Sequence, residues 1–302
     1  METTICFLND RIIAMSGTLT KNHVHVQNFK VFELSEGSII NGVITNSSSV
    51  KSVLKQIKDD ASIFSKSISL IINSSLVYIK QATIPNASKS QIITFVKNEF
   101  IGIDSNNTEM LFDYSLIKDE KHKEKTNSSS IVCYAVEKNM IKGIIELFEE
   151  EEITLSSINV STNCLIKLAS AVPSLENKTY AIANVDKNNI TLVLFVNNKY
   201  YYSTRARLIH DFETEEFFQE ISTQLSALNQ FNKSQKNGGD ISEVFLCGLS
   251  QEQSELCSQY ISDLGIKNSS TDIFSSVATC LNYRLEMNAS DFIFNIGAFF
   301  RK

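Results

Sequence analysis

The first third of the chain opens with strand-like stretches, the last of which alternates apolar with polar residues as a half-buried strand does. Residues 4–8, 11–15 and 23–34 form three such stretches, and Val24, Val26 and Phe32 mark the buried positions of the third. Asn9-Asp10 provides a tight turn between the first two. The period then lengthens. Val50, Val53, Leu54 and Ile57 recur at i, i+3, i+4 and i+7, which predicts an amphipathic helix with Ser47 to Ser49 as N-caps. The continuous apolar run 68–72 predicts a buried strand.

The second half repeats this order. Residues 180–185, 190–196 and 199–205 read as three consecutive strands joined by short Asp, Asn and Lys turns. A helix over about 214–231 follows, with Phe217, Phe218, Ile221, Leu225 and Leu228 along one side. Gly238-Gly239 marks a loop, and 244–246 a buried strand. Ser250 with Gln253 forms a capping box for a helix carrying Leu256, Tyr260 and Leu264. The succession strand, strand, strand, helix, strand thus occurs twice, which predicts duplicated α/β domains; no residue-level repeat accompanies it.

Between the halves the order differs. Residues 76–84 read as a strand ending at Pro85, 90–101 as a helix with Ile92, Phe95, Val96 and Phe100, and 111–117 as a strand. The polar stretch 118–130 reads as an exposed loop, before a strand at 131–136 and a helix at 139–150. This has the content of a small inserted α+β subdomain. The expected division is 1–75 with 153–176 as the first domain, 76–152 as the insertion and 177–302 as the second domain.

Composition narrows the function classes. With 302 residues, 43% apolar and 21% charged, the chain belongs with ordinary globular proteins. Its net charge of −6 and the absence of any Lys/Arg-rich block argue against a nucleic-acid partner. No apolar run reaches the roughly 18 residues of a spanning helix, and the start lacks the features of a signal peptide, so a cytoplasmic address without direct membrane insertion is expected. Cys6, Cys133, Cys164, Cys247, Cys257 and Cys280 are scattered, which predicts structural thiols and no metal site.

Four stretches carry a resemblance to a known family. Gly37-Ser38-Ile39-Ile40 precedes the helix of Val50 to Ile57; residues 68–85 hold Ser74-Ser75 and Ile84-Pro85; Phe112-Asp113-Tyr114-Ser115-Leu116 forms a strand; and Phe294-Asn295-Ile296-Gly297-Ala298-Phe299-Phe300-Arg301 closes the chain. In this order they resemble the PilM family, actin-like proteins of type IV pilus assembly related to the GspL cytoplasmic domain and to FtsA. The resemblance implies an actin-like, ribonuclease H-like fold of duplicated domains with an inserted subdomain. It also implies that the tail of a PilN-like membrane protein docks beside that subdomain, with Ile84, Ile92, Phe95, Val96, Phe112 and Tyr114 as the partner groove. Other pilus assembly proteins would be further partners, and the protein would sit at the inner face of the cytoplasmic membrane through them.

ATP-holding members of the superfamily carry glycine in their phosphate loops, because only glycine lets backbone N–H groups approach phosphate oxygens closely. Here both loops lack it. The first turn is Asn9-Asp10, the second Asp186-Lys187-Asn188, and the adenosine-side Gly-Gly pair is reduced to Gly248. The expectation is a scaffold that is not an enzyme and has no cofactor. The alternatives are an ATP-binding protein whose nucleotide state regulates partner binding and, more remotely, a small-molecule kinase.

Other single features have plain explanations beside functional ones. Asp10 and Asp186 are relics of metal-binding or water-orienting carboxylates, or simply turn residues. His23 and His25 share a strand face but suggest no third ligand. Arg205 and Arg207 share a face and suit a phosphate, a partner carboxylate or a structural role. Glu149 to Glu152 end a helix with four like charges, either a docking point for a basic partner or a solvated end. Residues 292–300 are apolar nearly all round, which predicts burial on the second domain's sheet.

Overall fold

The computed structural model describes residues 1–103, 108–117, 128–212, 214–235 and 239–300. Among them, the three strand-like stretches become β1 (Glu2–Phe7), β2 (Arg11–Thr20) and β3 (His23–Glu33). The short β4 (Ile39–Ile40) and β5 (Val43–Ile44), helix α1 (Ser47–Asp59) and β6 (Ile68–Ile72) follow. β1 pairs antiparallel with β2, and β2 with β3, whereas β6 runs parallel to β1. Tight turns suffice for the antiparallel joins; the parallel one needs a longer crossover, which α1 provides. The helix begins at Asn46, whose side-chain oxygen accepts from the Ser49 N–H at 3.2 Å, so the cap is one residue before the expected serines.

β7 (Tyr78–Pro85), α2 (Lys89–Glu99), β8 (Met110–Leu116) and β9 (Ser128–Glu137) build a separate small sheet in the order β7-β9-β8. Residues 128–130, expected in a loop, belong to β9, while 118–127 lie outside the described residues. Then α3 (Lys138–Glu150) and β10 (Ser157–Val160) return to the main sheet, where β10 lies parallel to β6. One face of that sheet buries Ile5, Phe7, Ile12, Leu70 and Ile72 against Val50, Leu54 and Ile57 of α1 and Ile144, Leu147 and Phe148 of α3. Each such side chain contributes about 1.5–3 kcal/mol when fully buried. α3 was expected inside the insertion. Its apolar stripe instead belongs to the main core, and the small sheet's own buried core runs only from Ala82 to Ala135.

After α4 (Ser161–Ala171), the second pass gives β11 (Tyr180–Asp186), β12 (Asn189–Val196), β13 (Lys199–Arg207), α5 (Glu215–Ser234), β14 (Glu243–Cys247), α6 (Gln251–Ser262) and β15 (Lys267–Ser269). Its sheet reads β13-β12-β11-β14-β15, and β14 runs parallel to β11 across the α5 crossover. The run β14-β11-β12-β13 reproduces β6-β1-β2-β3, so the duplication is real at the level of topology. Ser250 and Gln253 do cap α6 as a box, but Cys257 and Ile261 are its buried residues while Leu256 is exposed. Tyr260 and Leu264 pack against the same core from partly buried positions, so of the three expected residues only Leu256 is exposed.

The chain ends with β16 (Ala278–Cys280), the last member of the main sheet beside β3, and α7 (Ile293–Phe299). By contacts there are two units. The first holds Met1–Lys167, Thr279–Glu286 and the segment from Phe294 onward; the second holds Leu168–Ala278 and Met287–Ile293. The last helix therefore corrects the expectation that it packs on the second sheet. Asn295 donates from Nδ2 to the carbonyls of Thr4 at 3.2 Å and Ile13 at 3.3 Å, and Gly297 lies directly against the backbone of Cys164. A Cβ on Gly297 would come under 3.0 Å from the Cys164 carbonyl oxygen, so only glycine admits this approach.

Candidate functional site

The first hairpin turn is closed by the Leu8 N–H donating to the Arg11 carbonyl at 3.0 Å. Its two central residues are engaged by the protein itself. The Asn9 side-chain oxygen accepts from the Asn41 N–H at 2.9 Å, the Asp10 carboxylate pairs with Arg11 at 2.9 Å, and the Asp10 carbonyl accepts from the Leu34 N–H at 2.7 Å. These contacts tie the turn to the Asn41 loop and to the end of β3.

In the second unit, Asp186 ends β11 and is buried, Lys187 takes a left-handed φ of 48°, and the Asn188 carbonyl accepts from the Leu208 N–H at 2.7 Å. Gly248 follows β14 at φ +78°. A Cβ there would come under 3.0 Å from the Val185 carbonyl oxygen, so packing of two strand ends is reason enough for glycine at this place. The residues of each turn are brought together as strand-end structure.

The six residues expected to line a partner groove belong to one hydrophobic cluster formed with α2. Ile84, Ile92 and Val96 are buried in it, while Phe95, Phe112 and Tyr114 are half-buried at its margin. Phe112 meets Phe100 at 6.2 Å between ring centroids, and Lys97 and Lys80 lie over Phe112 and Phe100 at 5.9 and 5.4 Å. Sequence periodicity finds such a core but cannot separate its interior from its rim.

Exposed apolar residues that sequence reasoning missed stand close by in the chain path. Ile40 and Val43 flank the Asn41-Gly42 turn, and Leu76 and Tyr78 lead into β7. Asn41 binds these loops together: its Nδ2 donates to Ser75 Oγ at 2.7 Å, its Oδ1 accepts from the Ser75 N–H at 2.8 Å, and its carbonyl accepts from Ser74 Oγ at 2.5 Å. The signal was present, since Asn-Gly between β-branched pairs is a two-residue hairpin; here Asn41 and Gly42 take φ of 51° and 80°.

Several of the remaining candidates contact neighbouring parts of the chain. Glu150 and Glu152 pair with Lys51 and Lys58 of α1, and Lys58 also donates to the Glu151 carbonyl at 3.0 Å, so the acidic end of α3 is tied to the neighbouring helix. The ring centroids of His23 and His25 are 5.1 Å apart, and His23 Nε2 bonds Thr279 Oγ1 at 2.9 Å. Among the described residues no three potential ligands gather around a metal position. Arg205 and Arg207 pair across β12 with Thr191 and Asn189 on a common face. Five cysteines are buried, and burial pushes the thiols of Cys133 to about 11 and of Cys164 and Cys257 to about 12, out of reach of thiolate chemistry. No helix among the described residues is long and apolar enough to cross a membrane.

No protein-family profile matches the chain, and no curated protein matches it by sequence. Solved structures do match by shape. A chain of the PilM–PilN type IV pilus biogenesis complex aligns at a TM-score of 0.80 and 12% identity, over 98% of this chain and 96% of that one. A protein of Bacteroides thetaiotaomicron with an actin-like ATPase fold and unknown function aligns at 0.55 and 13%, over 100% and 96%. The ethanolamine utilization protein EutJ from Carboxydothermus hydrogenoformans aligns at 0.54 and 8%, over 99% and 89%. With the twofold strand order, these establish the expected actin-like fold.

Proposed function

We propose that this chain is a non-catalytic scaffold of a type IV pilus or related secretion machine that binds the cytoplasmic tail of a PilN-like membrane protein. The observation that carries this reading is the likeness, over nearly the whole chain, to a chain of a PilM–PilN complex. The first hairpin turn favours a binding role over a nucleotide role, because the chain's own side chains and loops engage Asn9 and Asp10. Other assembly proteins would complete the set of partners. The protein reaches the inner face of the cytoplasmic membrane through them, since a net charge of −6 gives it no attraction of its own to anionic lipid.

The tail would lie against the small sheet. An extended apolar peptide needs a strand edge for its backbone and a row of pockets for alternate side chains. β7 and β8 are the two edges of that sheet. Phe95, Phe112 and Tyr114 offer half-buried apolar surface, supported from within by Ile84, Ile92 and Val96, while Leu76 and Tyr78 extend it at the start of β7. Calorimetric titration with a synthetic PilN-like tail peptide tests this. Folded Phe95→Asp and Tyr114→Asp variants should each lose at least about tenfold in affinity, or about 1.4 kcal/mol. Parental affinity in both refutes the site. ATP with magnesium, titrated alongside, should bind no tighter than about millimolar; micromolar binding would favour the nucleotide-regulated alternative.

A further inference from the structure

The small sheet has two faces, and only one is covered by its own helix. On β9, Ile131, Cys133 and Ala135 point to α2, so Val132, Tyr134 and Val136 point the other way. Ser115 of β8 shares that second face, because it pairs with Val132 next to the pair Asp113–Tyr134. Val132, Tyr134 and Ser115 are nevertheless buried. The polar pair among them converges on one atom of α4: Asn163 Oδ1 accepts from Ser115 Oγ at 3.0 Å and from the Tyr134 hydroxyl at 3.2 Å. Asn163 is itself buried.

The same turn of α4 also holds the point where the chain leaves for the small sheet. Ser161 Oγ donates to Asn73 Oδ1 at 3.0 Å, and Asn73 directly follows β6. Chain continuity alone leaves the small sheet free to rock about its two connections, after β6 and before α3. Two hydroxyls bonded to one buried amide oxygen remove that freedom, because lifting the sheet would strip both donors of their acceptor in a place with little water.

We propose that Asn163 is the positioning residue that sets the small sheet on the body of the first unit. Resting on the partner reading above, it thereby sets the presentation of the docking surface, since Tyr114 and Phe112 share β8 with Ser115. The amide does not touch the tail. It acts through Ser115 and Tyr134.

The test uses the full chain with nitroxide labels at Lys55→Cys on α1 and Thr94→Cys on α2, both exposed, and with Cys280→Ser to remove the partly exposed natural thiol. Pulsed dipolar spectroscopy should give one narrow distance distribution for this parent. Asn163→Ala should broaden or shift it and weaken the tail peptide at least tenfold, whereas Asn163→Asp, which keeps acceptor oxygens, should restore both. An unchanged distribution in Asn163→Ala overturns the proposal. If that variant does not fold, Ser115→Ala with Tyr134→Phe removes both donors instead, and an unchanged distribution there overturns it equally. A parent that binds no peptide while Asn163→Ala still broadens the distances leaves the positioning role standing and refutes the partner reading.

Discussion

The two sheets share a strand order and differ in how the face away from their crossover helices is closed. In the first unit the closing element is α7, seated by backbone-level contact. Gly297 meets the Cys164 backbone, Phe299 lies over Gly17, and the Asn295 amide donates to Thr4 and Ile13. In the second unit the corresponding face carries a cluster of large aromatic side chains. Tyr180 stacks on Phe195 at 4.9 Å, Phe245 meets Tyr180 edge-on at 5.6 Å, and Phe274 meets Phe245 at 5.7 Å. One topology thus admits two solutions: a helix fitted by the absence of side chains, and a cluster held by large ones. The first should tolerate little change and the second more, because backbone cannot yield as a side chain can.

The most direct way to break this contrast is to add one methyl group to the first solution and remove some volume from the second. Gly297→Ala places a Cβ against the carbonyl and Cα of Cys164 and should cost about 3 kcal/mol or more in urea unfolding. Phe274→Leu, in a fully buried but side-chain-lined position, should cost about 1–2 kcal/mol. Equal costs would mean that the glycine contact relaxes freely and that the contrast is only apparent.

Polar anchors give a smaller and sharper comparison. Asn295 is buried, and its amide serves two main-chain carbonyls and the Thr4 hydroxyl; Asn295→Ala should cost about 2 kcal/mol. The Tyr180 hydroxyl donates to Asn198 Oδ1 at 2.6 Å, and Asn198 is only half-buried, so water can replace its partner. Tyr180→Phe should therefore cost about 1 kcal/mol or less. Thermal unfolding of the two variants beside the parent checks the order.

The closing elements were the part least legible in the sequence. The duplicated strand order could be read because short apolar stretches and the polar turns between them are local signals, and Asn9-Asp10 could be read as a turn for the same reason. A helix apolar nearly all round, such as 292–300, says that it is buried but not by what. Gly297 and Asn295 acquire meaning only when Cys164 and Thr4 are beside them. The candidate site divides likewise. Periodicity gathered Ile84, Ile92 and Val96, but the Asn163 contacts join residues 48 and 29 positions apart, which no local pattern announces. The packing of residues 138–150 on the main core was equally hidden, since an amphipathic stripe does not name the sheet that it faces.

The smallest expected effect concerns charge. Asp60, after α1, pairs with Lys30 of β3 and accepts from Ser62, and these contacts, the lysine first, hold its carboxyl down at about 2 from 3.8. Its counterpart in the second unit, Asp240 beside Lys233, is also lowered by that lysine but stands in open solvent. A carboxyl lowered in the folded state binds its proton more weakly than in the unfolded chain. Its stabilisation is therefore complete above about pH 4 and is lost as pH falls toward 2. Lys30 is half in solvent, so screening keeps the contribution to about 1 kcal/mol or less. Asp60→Asn should lower the urea midpoint at pH 7 and leave it nearly unchanged near pH 2, so that parent and variant converge as acid is added. Asp240→Asn should move the midpoint less at every pH, because water already does most of what Lys233 does. Convergence in the Asp240 pair but not in the Asp60 pair would place the acid-sensitive contact in the second unit and reverse the electrostatic side of the comparison.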